Sequence, residues 1–167
     1  MNGVGILDIQ CFYDNHNDFI VKELAVLPLV NDENINDTPE AVFFKAPYAF
    51  STLKECVQRA NNWNTKYHHH LHWTEGTVPY NDLLETLKGM VKPFWLLLVK
   101  GTNKTLFIER LMNRLGLSIK VVNAEVFMEE SLKKIVALNY YNCTHQGACA
   151  LRNCMKIRQQ FFNEKSV

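Results

Sequence analysis

A run of cysteine and histidine near the C-terminus constrains the fold of this chain more than any other feature. Three of the five cysteines and one histidine lie between Cys143 and Cys154. Cys143, His145 and Cys149 are close enough in sequence to surround one metal ion, and structural zinc sites usually have four such ligands. The run therefore predicts a zinc site with three local ligands and a fourth from elsewhere. The alternative is that these cysteines are simply buried thiols.

Cys154 is one candidate for the fourth ligand. The segment 150–153 has the pattern of the first turn of a helix, on which Cys149 and Cys154 would stand five positions apart. Five positions turn through roughly 500°, which leaves the two side chains about 140° apart. The spacing therefore favours Cys154 as a buried core residue over Cys154 as a ligand.

The length and composition are those of an ordinary globular domain. The chain has 167 residues, of which 47% are hydrophobic and 21% charged, and its net charge is +1. We therefore expect one domain spanning residues 1–167. The small net charge provides no general attraction to nucleic acid, so any such binding requires a local basic patch.

The cysteine content and the apolar runs bear on cellular location. Residues 1–5 have neither the basic region nor the apolar run of a secretory signal. The longest apolar run, 94–99, is too short to cross a membrane. An odd number of cysteines without a signal is typical of a reducing compartment, where clustered cysteines more often bind metal than form disulfides. We expect a cytoplasmic and/or nuclear protein with no membrane partner.

The pattern of apolar residues predicts an α/β fold. Strands are expected at 4–12, 19–29, 41–46, 94–101 and 118–123, and helices at 51–62, 79–90, 105–115, 130–138 and 150–162. Strands that come first, followed by alternating strands and helices, are typical of a mixed sheet flanked by helices.

Two segments allow more than one interpretation. Lys22 and Glu23 interrupt the second strand, and charged side chains in such positions usually face solvent. The segment 67–73 contains four histidines in five positions, which is compatible with a second metal site. Alternate side chains of an extended segment point to opposite sides, however. We therefore expect a loop in which one histidine has a structural role.

The order of these elements resembles the ribonuclease H-like fold, in particular the DEDDh exonucleases. The segments that carry the resemblance are FIVKELAVLPL, LLLVKGTNKTLFIERLM and ACALRNC. The catalytic residues of that family are largely replaced: its Asp-x-Glu motif is Asp8-Ile9-Gln10 here, its second aspartate falls near Asn103 or Lys104, and its closing histidine and aspartate are Ala148 and Asn153. Two-metal hydrolysis needs several carboxylates, so DEDDh exonuclease activity is not expected.

Within this fold, the chain resembles the Maelstrom domain, a piRNA-pathway module that lacks the DEDD residues and has a Glu-His-Cys-Cys zinc set. CTHQGACALRNCMKI is similar to the closing segment of that domain, and KELA is similar to the strand that carries its glutamate. The resemblance implies a structural zinc ion, with Cys154 in the core. The implied ligands are Glu23, Cys143, His145 and Cys149. The spacing from the first cysteine to the histidine is one residue shorter than in the family.

The resemblance also implies a role in small-RNA (piRNA-type) silencing of transposons. Maelstrom domains are linked to RNA binding and to an RNA-cleaving activity that does not use the DEDD residues. We therefore expect this chain to bind single-stranded RNA and/or silencing-pathway proteins. The expected RNA contacts are Lys133, Lys134, Arg152, Lys156 and Arg158. The aromatic candidates for base stacking are Trp63, Tyr67, Trp73, Tyr140 and Tyr141.

Two other classes of function remain open at this point. One is an active magnesium-dependent nuclease with a different carboxylate set, which would comprise Asp8, Glu23, Glu125 and Glu129. The other is an inert protein-interaction scaffold of transposon or viral origin.

Overall fold

A computed structural model describes residues 3–30, 41–128, 131–135 and 145–163. The secondary structure of these ranges comprises β1 (Gly3–Tyr13), β2 (Phe19–Pro28), β3 (Ala41–Phe43), α1 (Glu55–Trp63), α2 (Leu83–Val91), β4 (Phe94–Val99), α3 (Thr102–Arg114), β5 (Lys120–Asn123) and α4 (Ala150–Asn163). The expected α/β architecture is confirmed. The helix expected at 130–138 is not seen in its described part, because residues 131–135 form a turn, and the rest of that range lies outside the described residues.

The five strands form one mixed sheet in the order β3-β2-β1-β4-β5. The pairs β1–β2 and β2–β3 are antiparallel, whereas β1–β4 and β4–β5 are parallel. The register of β1 against β2 shifts between Gln10 and Cys11, which is a β-bulge. The central strand β1 is covered on both faces, and this explains its almost continuous apolar sequence.

Helices α2 and α3 cover one face of the sheet. Leu7, Ile9 and Leu97 from the strands pack there against Leu87 of α2 and Ile108 of α3. All five are buried at or below 1% exposure. This core contains side chains from β1, β2, β4 and both helices, so it fixes the sheet independently of the C-terminal helix.

Helix α4 covers the opposite face. Ile6, Ala25 and Leu98 from the strands pack against Leu151 and Ile157 of the helix. Because successive side chains of a strand point to opposite faces, Asp8 and Gln10 of β1 face α4 as Ile6 does. Glu23 of β2 faces α4 for the same reason, two positions before Ala25. Polar side chains at these places are therefore enclosed between the sheet and α4.

Lys22 on β2 is buried, with 1% of its surface exposed, so the expectation that it faces solvent is wrong. Its ammonium donates hydrogen bonds to the carbonyl oxygens of Phe44 (2.7 Å), Trp73 (3.0 Å) and Glu75. Burial lowers the pKa of Lys22 to about 8, and the carboxylate of Glu75 opposes that shift. The lysine thus joins β2 to two later loops through backbone carbonyls, which no local sequence pattern reveals.

Trp73 belongs to a third cluster of buried side chains at the end of the β1–β2 hairpin. It is 8% exposed and packs with Phe12, Ile20 and Leu53. Its indole Nε1 donates to the carbonyl oxygen of Tyr48 at 3.0 Å. The proposal of Trp73 as a base-stacking residue is therefore wrong, because the ring is a core element.

Among the described helices, none combines the length and the apolar character that a membrane crossing requires.

Candidate metal centre

Glu23, His145 and Cys149 form a compact group between β2 and the start of α4. One ligand-type atom from each residue lies within 4.8 Å of the other two. Glu23 and Cys149 are buried, with 0% and 1% exposure, and the side chain of His145 is 10% exposed. Within the described ranges this is the one group of three or more histidine, cysteine or acidic side chains with such geometry. The group could hold a metal ion.

Two distances within the group can be compared with those of a tetrahedral metal site. The Nε2 atom of His145 lies 3.0 Å from Oε2 of Glu23, and the Sγ atom of Cys149 lies 3.3 Å from Oε1 of the same carboxylate. Metal–ligand bonds of about 2.0 to 2.3 Å in a tetrahedron separate neighbouring ligand atoms by about 3.3 to 3.8 Å. The two short distances end on different oxygens of Glu23, and the three ligand atoms lie within 4.8 Å of one another, so binding one ion would draw the side chains closer together.

The backbone around His145 fixes which ring nitrogen carries a proton. Its Nδ1 atom lies 2.9 Å from the carbonyl oxygen of His69 and 2.9 Å from that of Gln146. Both partners are acceptors, so Nδ1 must be the donor. In the neutral ring, Nε2 then has a lone pair that points at the carboxylate of Glu23. A backbone carbonyl that orients a histidine in this way is the common arrangement around metal ligands.

Cys149 stands immediately before the first residue of α4. Its Sγ atom accepts a hydrogen bond from the backbone N–H of Arg152 at 3.4 Å, as a helix N-cap side chain does. The Arg152 guanidinium also donates to the carbonyl oxygen of His145 at 2.6 Å. Thiolate is the metal-binding form of cysteine.

The carboxylate of Glu23 is held by the same helix terminus. Its Oε2 atom accepts a hydrogen bond from the backbone N–H of Ala150 at 3.0 Å. The partial positive charge of a helix N-terminus stabilises an anion there. Two anionic ligand groups thus lie on one helix start, although Glu23 and Ala150 are 127 positions apart.

The histidine-rich segment braces the loop that carries two of these ligands. The backbone N–H of Ala148 donates to the carbonyl oxygen of His68 at 2.8 Å. Gly147 has a φ of +79°, and a Cβ atom on it would lie 2.4 Å from the oxygen of His68 and 2.3 Å from the ring of His70. A glycine is therefore required at this close approach.

His69 has the structural role that the sequence predicted for one histidine of this segment. It is 0% exposed. Its Nδ1 atom accepts from the backbone N–H of Leu71 at 3.1 Å, and its Nε2 atom lies 3.2 Å from the carbonyl oxygen of Cys11. Burial lowers the pKa of His69 to about 4, against a smaller opposing effect of the Cys11 carbonyl. The ring is thus a neutral brace and not a ligand.

The charges of the group favour a cation at its centre. In the metal-binding state the carboxylate and a Cys149 thiolate would contribute two negative charges, whereas without an ion the Cys149 thiol donates to Oε1 of Glu23 at 3.3 Å. Without a cation or additional protons, these acceptors would repel one another in a buried site. A divalent metal balances both charges. A cysteine nucleophile activated by histidine is a poorer interpretation, because the Sγ atom of Cys149 contacts Glu23 and is shielded from substrate.

The two remaining cysteines of the terminal run are Cys143 and Cys154. Cys143, the fourth ligand implied by the resemblance, lies outside the described residues. Cys154 is 0% exposed, and its Sγ atom lies 3.6 Å from the carbonyl oxygens of Ile6 and Ala25. Burial raises the pKa of Cys154 well above its ordinary value. It is a core thiol, as the helical spacing predicts.

A second polar group lies on the same face of the sheet, around Asp8. The Oδ1 atom of this buried carboxylate pairs with Nζ of Lys104 at 2.6 Å. Its Oδ2 atom accepts from the side-chain amides of Asn153 at 2.8 Å and Gln10 at 3.3 Å. Burial acts to lower the pKa of Lys104, but the attraction of Asp8 outweighs it, so that the pKa is raised. The ammonium of Lys104 therefore neutralises the charge of the Asp8 carboxylate.

This arrangement bears on the alternative nuclease site. A magnesium ion on Asp8 would have to displace an ammonium and two amides. Glu125 is bound elsewhere, because it pairs with Lys100 at 2.9 Å. Glu23 belongs to the metal group, and Glu129 lies outside the described residues. The three described carboxylates of that set are thus engaged with different partners.

The predicted RNA contacts surround the start and middle of α4. Lys133 and Lys134 are exposed, whereas Arg152, Lys156 and Arg158 are partly buried. The ammonium of Lys156 donates to the carbonyl oxygen of Leu132 at 3.0 Å, which brings the 131–135 segment against the helix. Tyr140 and Tyr141 lie outside the described residues, whereas Trp63 and Tyr67 are exposed by 56% and 59%.

Models of known protein families give no match to this chain, and neither does a search of characterised proteins.

Proposed function

We propose that this chain is a zinc-stabilised, catalytically degenerate exonuclease-like domain of the Maelstrom type, with a ribonuclease H-like fold. In this proposal it binds single-stranded RNA and/or silencing-pathway proteins in piRNA-type transposon silencing. The single observation that carries the proposal is the buried group of Glu23, His145 and Cys149. Its members come from the two segments, KELA and CTHQGACALRNCMKI, on which the resemblance rests.

Zinc is the metal that the donor set fits best. Thiolate, imidazole and carboxylate together are typical zinc ligands, whereas magnesium and calcium prefer oxygen ligands alone. The ligands join β2 to the start of α4, and such a closed buried site is typical of structural zinc. Cys143 is the fourth ligand in this proposal.

The surroundings of Asp8 support the loss of exonuclease chemistry. The resemblance equates the catalytic acids with Gln10, with Asn103 or Lys104, and with Asn153. The side chains of Gln10, Lys104 and Asn153 all contact Asp8. Carboxylates at these places would bind two divalent ions. An ammonium and two amides instead neutralise and satisfy the one acid that remains.

The basic residues beside the metal centre support RNA binding. Lys133 and Lys134 are exposed on the segment that contacts α4. The pKa of Lys156 is lowered, first by partial burial and then by the nearby positive charge of Arg152. Cations that lie close enough to repel one another form a patch that attracts phosphate. Because the net charge of the chain is only +1, nucleic-acid binding requires a local patch of this kind.

Metal analysis of protein purified without chelators tests the first half of the proposal. We expect one zinc per chain by elemental mass spectrometry and less than stoichiometric magnesium. Protein that folds cooperatively with no bound zinc would refute the zinc-stabilised domain.

RNA binding is tested separately, with a fluorescein-labelled single-stranded RNA of 20 nucleotides. We expect binding at low salt whose affinity falls steeply between 50 and 200 mM salt, because phosphate contacts release counterions. Replacing Lys133 and Lys134 by glutamine should make the affinity depend less steeply on salt, because two phosphate contacts are removed. Absence of binding at both salt concentrations would favour the protein scaffold over the RNA-binding domain.

A further inference from the structure

Trp63, the last residue of α1, and Tyr67 form an exposed aromatic pair. The indole is 56% exposed and the phenol ring 59% exposed. Their ring centroids lie 5.9 Å apart, with the planes tilted by 47°. Large aromatic rings are usually buried for most of their surface, so two neighbouring exposed rings mark a candidate binding surface.

Positive charges flank this pair. The ammonium of Lys66 lies 5.0 Å from the ring centroid of Tyr67. Arg59 precedes Trp63 by one helical turn, and it forms an exposed ion pair with Glu55 at 2.6 Å. An exposed ion pair of this kind is weak, so the guanidinium remains available to a phosphate. Aromatic rings interleaved with cations suit a ligand that has flat bases and a negative backbone.

The backbone below the rings is rigid. Asn61, on the inner side of α1, is 0% exposed. Its side-chain amide donates to the carbonyl oxygen of Tyr13 and accepts from the backbone N–H of the same residue, both at 2.9 Å. After α1 the chain continues as one π-helical turn, Asn64–His68, which is closed by a 3.0 Å hydrogen bond from the N–H of His69 to the carbonyl oxygen of Asn64. The backbone that carries the two rings is thus tied to the rest of the fold by hydrogen bonds.

The same turn leads directly into the metal centre. The carbonyl oxygens of His68 and His69 accept hydrogen bonds from Ala148 N–H (2.8 Å) and His145 Nδ1 (2.9 Å). The aromatic pair and the metal-binding loop are therefore two ends of one braced unit. A ligand on the rings is held by backbone that the metal centre stabilises.

From this geometry we infer that Trp63, Tyr67 and Lys66 form a base-stacking platform for single-stranded RNA. Two successive bases stack on the indole and phenol rings, and the ammonium of Lys66 contacts the intervening phosphate. The inference rests on the proposed RNA-binding function and names its base-contacting site. It requires unpaired bases, because the faces of bases within a duplex are already stacked.

Equilibrium binding of a labelled U-rich 12-nucleotide RNA to the full chain tests the platform. Alanine scanning of base-stacking rings gives about 1–3 kcal/mol per base, which corresponds to about fivefold to 150-fold in affinity. We therefore expect Trp63→Ala and Tyr67→Ala each to weaken binding at least about fivefold. Tyr67→Phe, which keeps the ring, should bind like the wild type. Trp95→Ala is the matched control, since Trp95 is 49% exposed on β4.

Salt dependence and duplex RNA give two further readouts. Lys66→Gln should reduce the slope of log affinity against log salt by about 0.7, the value for one phosphate contact on a single strand. A hairpin of the same composition should compete poorly. Zinc content and melting temperature should be unchanged in all of these variants, because the replaced side chains are exposed.

The outcomes separate this inference from the proposal on which it rests. If the wild-type protein binds no RNA, the RNA-binding function and the platform both fail. If it binds RNA and the Trp63→Ala, Tyr67→Ala double variant binds equally well, the platform fails while RNA binding stands. The platform would likewise be overturned if the double variant and Trp95→Ala lost the same amount of RNA affinity.

Discussion

The imidazole Nε2 atom of His145 lies 3.0 Å from the carboxylate Oε2 atom of Glu23, across a separation of 122 positions in the chain. The Nδ1–H group of His145 donates a hydrogen bond to the carbonyl oxygen of His69, and Glu23 accepts one from the backbone N–H of Ala150, the first residue of α4. Each side chain is therefore already oriented by the backbone before any metal enters. A site prepared in this way loses little conformational entropy on binding an ion.

Glu23→Gln tests the carboxylate as a ligand. The substitution keeps the size of the side chain but removes a negative charge and an anionic donor, so we expect the affinity for zinc to fall at least about 100-fold. Competition with a chromogenic chelator measures this. Glu85→Gln, on the exposed side of α2, is the control and should retain wild-type affinity. Full zinc retention by Glu23→Gln would place the ligand elsewhere.

Cys149→Ser tests whether the metal stabilises the fold. Structural zinc contributes about 10 kcal/mol or more in small peptides, and less is needed in a domain with a core of its own. We expect a loss of at least about 3 kcal/mol, which lowers the melting temperature by about 6 to 12 °C in a chain of this size. Calorimetry with and without chelator measures it. Cys56→Ser, at an exposed thiol, should melt like the wild type, and equal melting of both variants would contradict the assignment.

Lys22→Met should destabilise the protein although it lies outside the metal group. Three carbonyl oxygens would lose their common donor in a buried place. Unsatisfied buried polar groups cost about 1–3 kcal/mol each, so we expect a total loss of about 3 kcal/mol after local rearrangement. Urea unfolding measures the free energy, with the exposed Lys92→Met as control. A change below about 0.5 kcal/mol would show that water replaces the ammonium.

Lys104→Met tests the role of the ammonium beside Asp8. Removing one partner of a buried ion pair leaves an uncompensated charge, and we expect a loss of about 3 kcal/mol. Adding Asp8→Asn to Lys104→Met should restore most of that stability. Urea unfolding of the wild type, both single variants and the double variant measures the interaction energy of the pair. Strict additivity of the two substitutions would mean that the pair does not interact. Magnesium-dependent RNA cleavage by the wild type that disappears in Asp8→Asn would instead support the nuclease alternative.

The sequence predicted those parts of the fold that depend on local pattern. The apolar run of β4 indicated a strand covered on both faces, and it pairs with β1 and β5. Helical spacing placed Cys154 in the core, where its thiol meets two carbonyl oxygens. These features follow from periodicity and burial, which are properties of short segments.

Features that depend on distant partners could not be predicted in the same way. Lys22 and Glu23 are adjacent and both charged, and nothing in their neighbourhood distinguishes them from a solvated pair. The partners of Lys22 are three carbonyl oxygens in two later segments, and the partners of Glu23 lie more than a hundred residues away. Only the resemblance pointed to Glu23. The π-helical turn that fixes Tyr67 had no signal in composition or spacing.

Because α4 is made last and covers strands that are made first, its position has a consequence during synthesis on the ribosome. At about 5–20 residues per second, the 122 positions between Glu23 and His145 take roughly 6 to 24 s to translate. For about that time the apolar side chains of Ile6 and Ala25 have no helix above them. The nascent chain therefore passes through a stage at which a chaperone or a second copy of the sheet competes with its own C-terminus.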